Sequence, residues 1–351
     1  MSGPDIQQAA ERTHVSPARI VISALLGIAV VVAVIWFIDQ NAATYEEAMT
    51  ELTTISPVWI GLLVATAILN IVVYPFTVLV AIPQLSYWQG FVERQTGFLV
   101  SNAIPGGGAI AVGTQYAILN RYRVPPGLAA AAVSADAVWT YLLTLGMPSL
   151  GVGLLVLEGR TNGHLTGIAV IGLVAFLVSL VAVVLIIRSP ESAHKVGTAG
   201  QWLADRLFRL IKRNPPDVVA AVVDFHGSAH DLVSRKWVAL TVTNVAAQAT
   251  PFLVLLAALA GIGAFPEQVT LIEIFAAYSA AILLTSFPLT PGGLGTVDLA
   301  LIGLLVAFGA TPGQAAAADV IWRLFWFLPQ LVVGLVAFLI NLVAERRHPT
   351  G

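Results

Sequence analysis

The sequence predicts an all-α fold, a polytopic membrane helix bundle with six full spans and two re-entrant hairpins. Three observations carry that prediction. Of 351 residues, 58% are hydrophobic and 10% are charged, whereas a soluble domain carries about 25% charged residues to cover its surface; mean hydropathy is +0.87. Several apolar stretches reach the roughly 20 residues that a spanning helix needs. Two more are interrupted by proline and glycine, and the two resemble each other. The net charge of −2 offers no basic field for nucleic acid, and with no cysteine there are no disulfides, thiol nucleophiles or Cys-ligated metals.

The elements follow in order. After a tail, 1–19, the first apolar run begins at Ile20 behind Arg12 and Arg19 and ends in Trp36, Phe37 and Ile38. No small-residue cleavage pattern follows, so a retained helix over 20–38 is expected rather than a signal peptide. Further spans are expected at 58–82, 127–157 (with Pro148 inside), 165–187, 237–261 and 314–341. The broken stretches are 97–119, around Pro105-Gly106-Gly107-Gly108, and 270–310, around Pro291-Gly292-Gly293. The membrane domain as a whole is expected over 20–345, with a tail at 346–351.

The bias of Lys and Arg towards the cytoplasm threads these segments. With the N-terminus inside and both broken stretches turning back, Arg12, Arg19, Arg94, Arg121, Arg123, the eight basic residues from Arg188 to Lys236, Arg346 and Arg347 lie inside. That is 15 of the 17 Lys and Arg residues. Letting 97–119 cross would carry the whole basic segment outside. The alternative of eight full spans stays open because 270–287 is itself long enough to cross. Both termini are then cytoplasmic, in a multi-pass protein of the cell membrane.

The broken stretches belong to a repeat, with units at about 58–157 and 237–341. Pro105-Gly106-Gly107 is followed 21 residues on by Pro126-Gly127, an alanine run and Asp136 three residues before Trp139. Pro291-Gly292-Gly293 is followed 21 residues on by Pro312-Gly313, an alanine run and Asp319 three residues before Trp322. In this threading three full spans separate the hairpins, so the second unit is inverted relative to the first, a recurring transporter arrangement. Glycine and proline free backbone groups that hydrocarbon cannot satisfy, so such breaks belong in protein or at a polar cavity, and freed N–H groups at a helix start suit an anion such as phosphate. Tight packing turns account for the same glycines.

Candidate binding residues are therefore Pro105, Gly106, Gly107, Asp136, Pro291, Gly292, Gly293, Asp298, Asp319 and Arg323. Each intramembrane charge costs about 2.5–3.5 kcal/mol by insertion scales, so all should face the interior. Asp319 and Arg323, four apart, are expected to pair on one helix face; Thr140 stands where the second copy has Arg323, so that pair is not duplicated. Arg323 would meet a lipid phosphate while carboxylates balance charge or a head-group amine. Asp298 also suits a plain helix-start acid. Glu93, Gln115 and Glu273 are weaker candidates, the two acids being expected near the interface. An Asp136–Asp319 dyad of the aspartyl-protease kind is the enzymatic alternative. No cofactor, metal or catalytic residue is expected; His226 and His230 have metal-ligand spacing but no His-Glu-x-x-His motif accompanies them.

Residues 188–236 form the sizeable polar stretch, expected on the cytoplasmic side. Within it 201–213 reads as an amphipathic helix, with Trp202, Leu203, Leu207, Leu210 and Ile211 opposite Arg206, Arg209, Lys212 and Arg213. Such a helix lies in the headgroup plane and attracts anionic phospholipid; a plain positive-inside loop is the alternative.

Asn102-Ala103-Ile104-Pro105-Gly106-Gly107-Gly108, and Phe287-Pro288-Leu289-Thr290-Pro291-Gly292-Gly293-Leu294-Gly295 with an acid three residues on, resemble the membrane domain of lysylphosphatidylglycerol synthases, which also occurs alone as a flippase-like protein. Ile321-Trp322-Arg323, Pro329 and Gly334 fit the same pattern, and the resemblance covers roughly 20–345. It implies a protein that binds membrane lipids and moves them, or lipid-linked head groups, between leaflets. Two features depart from it. Only about ten residues follow the last expected span, so the synthases' soluble aminoacyl-transferase activity is not expected. The family's acid after the second glycine block is commonly Glu, and here it is Asp298. A structural or assembly partner of a lipid-modifying enzyme is the other reading.

Overall fold

The structure, a computed structural model, describes residues 49–347 except 52, 104–105, 160–162, 211–213, 216 and 287–289. The expected helix over 20–38 and Pro105 lie outside the described residues. What is described is helical, with no strand among the described residues.

Helix α1 (Pro57–Val73) continues after a turn into α2 (Phe76–Ala81); α3 (Tyr87–Ala103) and α4 (Gly107–Arg121) flank the first break, and α5 (Pro126–Leu157) closes the first unit. Helices α6 (Gly163–Arg188) and α7 (Pro190–Leu210) lead into the long α8 (Val218–Gly261). The second break lies between α9 (Leu271–Leu283) and α10 (Thr296–Phe308). Helix α11 (Pro312–Trp322) then passes through a π-helical segment (Arg323–Phe327) into α12 (Leu328–Arg347). Among the described residues five stretches, Pro57–Ala81, Pro126–Leu157, Ala229–Gly261, Pro291–Phe308 and Pro312–Ile340, are long and apolar enough to cross a membrane by length and composition. The chain is a membrane-embedded, multi-pass helix bundle.

Local chemistry explains the boundaries. Both Pro-Gly pairs of the repeat are helix starts, with Pro126 and Pro312 at the first helical position, where the missing N–H costs nothing. Thr311 and Gln314 close a capping box on α11, and Thr270 and Glu273 close one on α9. Glu273 is thus a helix-start acid. Pro251 leaves the carbonyl four residues earlier without its N–H, and the Thr250 hydroxyl donates to that carbonyl, Ala247 O, at 3.2 Å. The π segment precedes Pro329, and the Leu328 N–H donates to Arg323 O, five residues back.

The units pack on each other reciprocally. Helix α12 of the second unit packs along α3 of the first, α5 of the first packs along α9 of the second, and α1 lies against α8. A glycine sits at each exchange: a Cβ on Gly334 would come within 2.5 Å of Gln95 O, and one on Gly151 within 2.9 Å of Ala276 Cα. Gly151 and Gly334 each lie twelve residues beyond the repeat tryptophan, Trp139 and Trp322. The alanine runs are buried in both copies (Ala129, Ala131 and Ala132; Ala315 to Ala318), because small residues let backbones approach. Gly334→Ala and Gly151→Ala are each expected to cost about 1–3 kcal/mol by overpacking, read as a lowered melting temperature in detergent. Gly153→Ala, which meets nothing within 4 Å, should not lower it.

Three expectations need correction. The polar run around Arg94 is not a loop: α3 starts at Tyr87, ten residues before the expected stretch, and carries Arg94 into the interior. The expected 237–261 span is the end of α8, which starts at Val218 with Asp217 as its cap, so much of the 188–236 segment is helix. The amphipathic helix spans Pro190–Leu210 rather than 201–213; 211–213 lie outside the described residues. It docks on α8 through small residues, with Ala193 and Gly197 buried, and leaves Trp202 and Leu203 62% and 51% exposed. Nδ1 of His226 and of His230 lie 2.6 Å from the last-turn carbonyls Ile186 O and Ile187 O, tying α6 to α8. No group of three or more His, Asp or Glu that could hold a metal occurs among the described residues.

Candidate functional site

Among the described residues two buried ionic clusters stand out, one per unit. In the first, residues 92–98 of α3 are buried all round the helix. Such a helix is normally apolar on every face. This one carries Glu93, Arg94, Gln95 and Thr96 in succession, none more than 6% exposed. Arg94 Nη1 donates to Asp136 Oδ2 of α5 at 2.7 Å, and its guanidinium lies 4.5 Å from the ring centre of Tyr74, in the α1–α2 turn. Gln115 of α4 packs against Gly97 and stands beside Glu93. Five of these side chains keep atoms with no hydrogen-bond partner: Glu93 Oε2, Arg94 Nε, Gln95 Oε1, Thr96 Oγ1 and Asp136 Oδ1. Unmet polar groups in a membrane interior are costly.

In the second cluster Arg323 closes the break. Its Nε donates to Asp298 Oδ1 at 2.5 Å, Nη1 to Gly292 O at 3.1 Å and Nη2 to Gly293 O at 3.4 Å. The other oxygen of Asp298 accepts from the Gly295 N–H at 2.6 Å, so the acid both starts α10 and anchors the arginine. Gly292 and Gly293 have φ of 57° and 69°, the left-handed region that a side chain strains; this turns their carbonyls onto the guanidinium. The expected Asp319–Arg323 hydrogen bond is absent from the structure. The partner is Asp298, because the π segment begins at Arg323 and the turn of the break brings Asp298 to its Nε. Asp319 is 5% exposed beside Asp298 and Arg323, with Oδ1 unpartnered.

Thr140 offers no counterpart to Arg323, yet each unit has an Arg–Asp pair, built from different positions. Asp136 pairs with an arginine before its break, whereas Arg323 pairs with an acid after its own. Asp136 and Asp319 sit in separate clusters, so no dyad forms between them. Aromatic rings join the clusters, since Phe98 of α3 meets Tyr74 on one side and Trp326 and Phe327 on the other, with centroids 5.9–6.3 Å apart. Arg323 stacks over Phe327 at 5.0 Å, and the Pro291–Gly293 turn rests on α3.

The first break is different. Gly106 takes φ of 69° ahead of Gly107, the first residue of α4, and Gly106 and Gly108 are exposed among the described residues. Nine residues of α3 separate Arg94 from Ala103, roughly 14 Å along a helix axis, so Gly106 and Gly107 stand apart from Asp136. Arg94, Gln95 and Tyr74 were not foreseen. The available signal was four polar residues, Glu93 to Thr96, directly ahead of a Pro-Gly-Gly break.

Comparison with known proteins agrees with this architecture. The family described as the lysylphosphatidylglycerol synthase TM region matches residues 24–334. The chain belongs to this family. A curated relative, the UPF0104 membrane protein of Methanothermobacter thermautotrophicus, is 34% identical over 85 residues, 24% of this chain and 25% of that protein. The match thus spans about a quarter of the relative's length. No solved structure matches. Both breaks, both ionic clusters and the Gly151 and Gly334 crossings fall inside the stretch matched to the lysylphosphatidylglycerol synthase membrane region, which ties the protein to lipid metabolism.

Proposed function

We propose that the protein moves a phospholipid or lipid-linked head group between leaflets of the cell membrane, its two units forming an inverted repeat with both termini cytoplasmic. One observation carries this reading: each unit of an otherwise apolar bundle buries an arginine–aspartate pair beside further unmet polar atoms. Ionisable groups at membrane depth cost about 2.5–3.5 kcal/mol each by insertion scales, and proteins keep them chiefly on substrate and ion pathways. Arg94, with Nε free, is the better phosphate donor of the two, and Glu93 and Asp136 balance charge or take a head-group amine. Arg323 works as the latch of the second break, releasing Gly292 and Gly293 when that segment opens. The break glycines are its moving parts, and the acyl chains stay in lipid. The sequence holds no Gly-x-x-x-x-Gly-Lys-Ser/Thr loop, so in this reading movement is passive, ion-coupled or powered by a partner.

A second reading, a structural partner of a lipid-modifying enzyme, draws on Arg323, each of whose three guanidinium nitrogens donates within the protein. Liposomes separate the two. Reconstituted protein is expected to carry a fluorescent phospholipid between leaflets faster than empty vesicles; equal rates across anionic, zwitterionic and lipid-linked head groups would favour the partner role.

The exposed Trp202 and Leu203, with Arg206 5.7 Å from the Trp202 ring, suit α7 to an anionic headgroup layer. Brominated anionic lipid is expected to quench tryptophan emission less in Trp202→Phe than in the parent protein, by the share that Trp202 contributes. Equal quenching of the two would place α7 away from lipid.

A further inference from the structure

The charge balance of the clusters is the same in both units. Glu93, Arg94 and Asp136 bring two carboxyls to one guanidinium; Asp298, Asp319 and Arg323 do so again. In each, one carboxyl holds the arginine and the other is surplus. The surplus groups are Glu93 and Asp319, 1% and 5% exposed, and each has an oxygen without a hydrogen-bond partner. An uncompensated carboxylate this deep is far costlier than its neutral form. One positive charge is therefore missing from each unit.

Asp319 identifies the charge. Its neighbours on α11 are Ala315, Ala316, Ala317 and Ala318, all fully buried, followed by Trp322. A hard metal ion takes about six oxygen ligands, and alanine offers no side-chain oxygen. Asp298 stands beside Asp319, and two neighbouring carboxyls resist being ionised together. The other charged group facing Asp319 is Arg323, while α8 and α9 present the Pro251 carbonyl and the Tyr278 ring to the adjoining Trp322. Around Glu93 stand Arg94 on its own helix, Tyr74 from the α1–α2 turn, Asp136 from α5, Gln115 from α4, and Tyr122 beyond the end of α4.

We infer that Glu93 and Asp319 are a matched pair of proton-carrying sites, one in each unit, through which a transmembrane proton gradient drives lipid movement. The inference rests on the transport reading for its purpose but not for its chemistry. Each carboxyl takes a proton from the aqueous face open to its unit and releases it when the unit opens to the other face. The head group moves while the surplus charge is neutral, and nothing else changes oxidation or bonding.

Infrared difference spectra of the reconstituted parent protein test the chemistry without a variant. Stepping the pH is expected to titrate protonated carboxyl bands, of which Asp319→Asn and Glu93→Gln each remove one. Spectra without such bands would overturn the inference whatever lipid does. In vesicles carrying a pH difference, one coupled proton supports about a tenfold lipid ratio per pH unit. The parent protein is expected to approach that ratio, and both variants to lose the response to the gradient. A ratio that follows sodium instead of pH would overturn it. Lipid movement absent from every sample would sink the transport reading and leave the bands to decide the protonation.

Discussion

Arg94→Met is expected to lower the stability of the protein by about 3–5 kcal/mol and to stop lipid movement. The size follows from what the substitution leaves behind. Breaking a buried ion pair strands the other charge, and that stranded charge rather than the lost attraction sets the cost. Here it strands Asp136, whose Oδ1 already lacks a partner, alongside Glu93, and it removes the cation over Tyr74. Thermal unfolding in detergent would show the loss as an earlier transition. Arg94→Met combined with Asp136→Leu is the informative variant. Removing both members with side chains of similar volume is often neutral or stabilising, so the double variant should recover most of the lost stability. It should not recover lipid movement, because no guanidinium remains in the first cluster to meet a phosphate. If movement returns with stability, the pair is a clamp between α3 and α5, and the head group is recognised elsewhere.

That cluster also shows where sequence reasoning ends. The membrane helix bundle and the doubled Pro-Gly-Gly unit were legible because each rests on a one-dimensional signal: apolar length, helix-breaking residues, a fixed offset from Asp to Trp. The offset reached further than expected, since the glycines twelve residues past Trp139 and Trp322 mark both crossings between the units. What failed was pairing. Arg94 and Asp136 are 42 residues apart, and the positive-inside count placed Arg94 in a loop because a charged run between apolar segments has that signature whether it faces water or a protein interior. Arg323 was assigned to Asp319 by the i, i+4 rule, which holds for exposed helix faces where nothing else competes. In the interior a π segment and two glycines with positive φ supplied Asp298 instead. Exposure misled in the same way: Glu93 was expected at the interface and is among the most buried acids, since no local pattern shows that α12 will cover α3.

Arg323→Lys tests that second cluster and separates its two acids. A lysine keeps the charge but offers one ammonium where the guanidinium fork serves Asp298, Gly292 and Gly293 at once. Hydrogen bonds to charged groups are worth about 1.5–3 kcal/mol each, so losing the two glycine carbonyls and the aligned Asp298 contact should weaken the closed break by about 2–3 kcal/mol. At 1.4 kcal/mol per factor of ten, that corresponds to roughly 30- to 150-fold faster amide hydrogen exchange, seen in the peptide that contains Gly292, Gly293 and Gly295. Exchange across the α5–α9 crossing at Gly151 should hardly change, because nothing there depends on Arg323. Asp298→Asn is expected to have the same local effect, since it weakens both the Arg323 contact and the carboxylate that holds the Gly295 N–H. Asp319→Asn is not, because Asp319 bonds none of those groups. Opening of the break by Asp319→Asn and not by Asp298→Asn would return Arg323 to the partner that helix spacing alone suggests, and with it the latch would have to be sought within α11 rather than across the break.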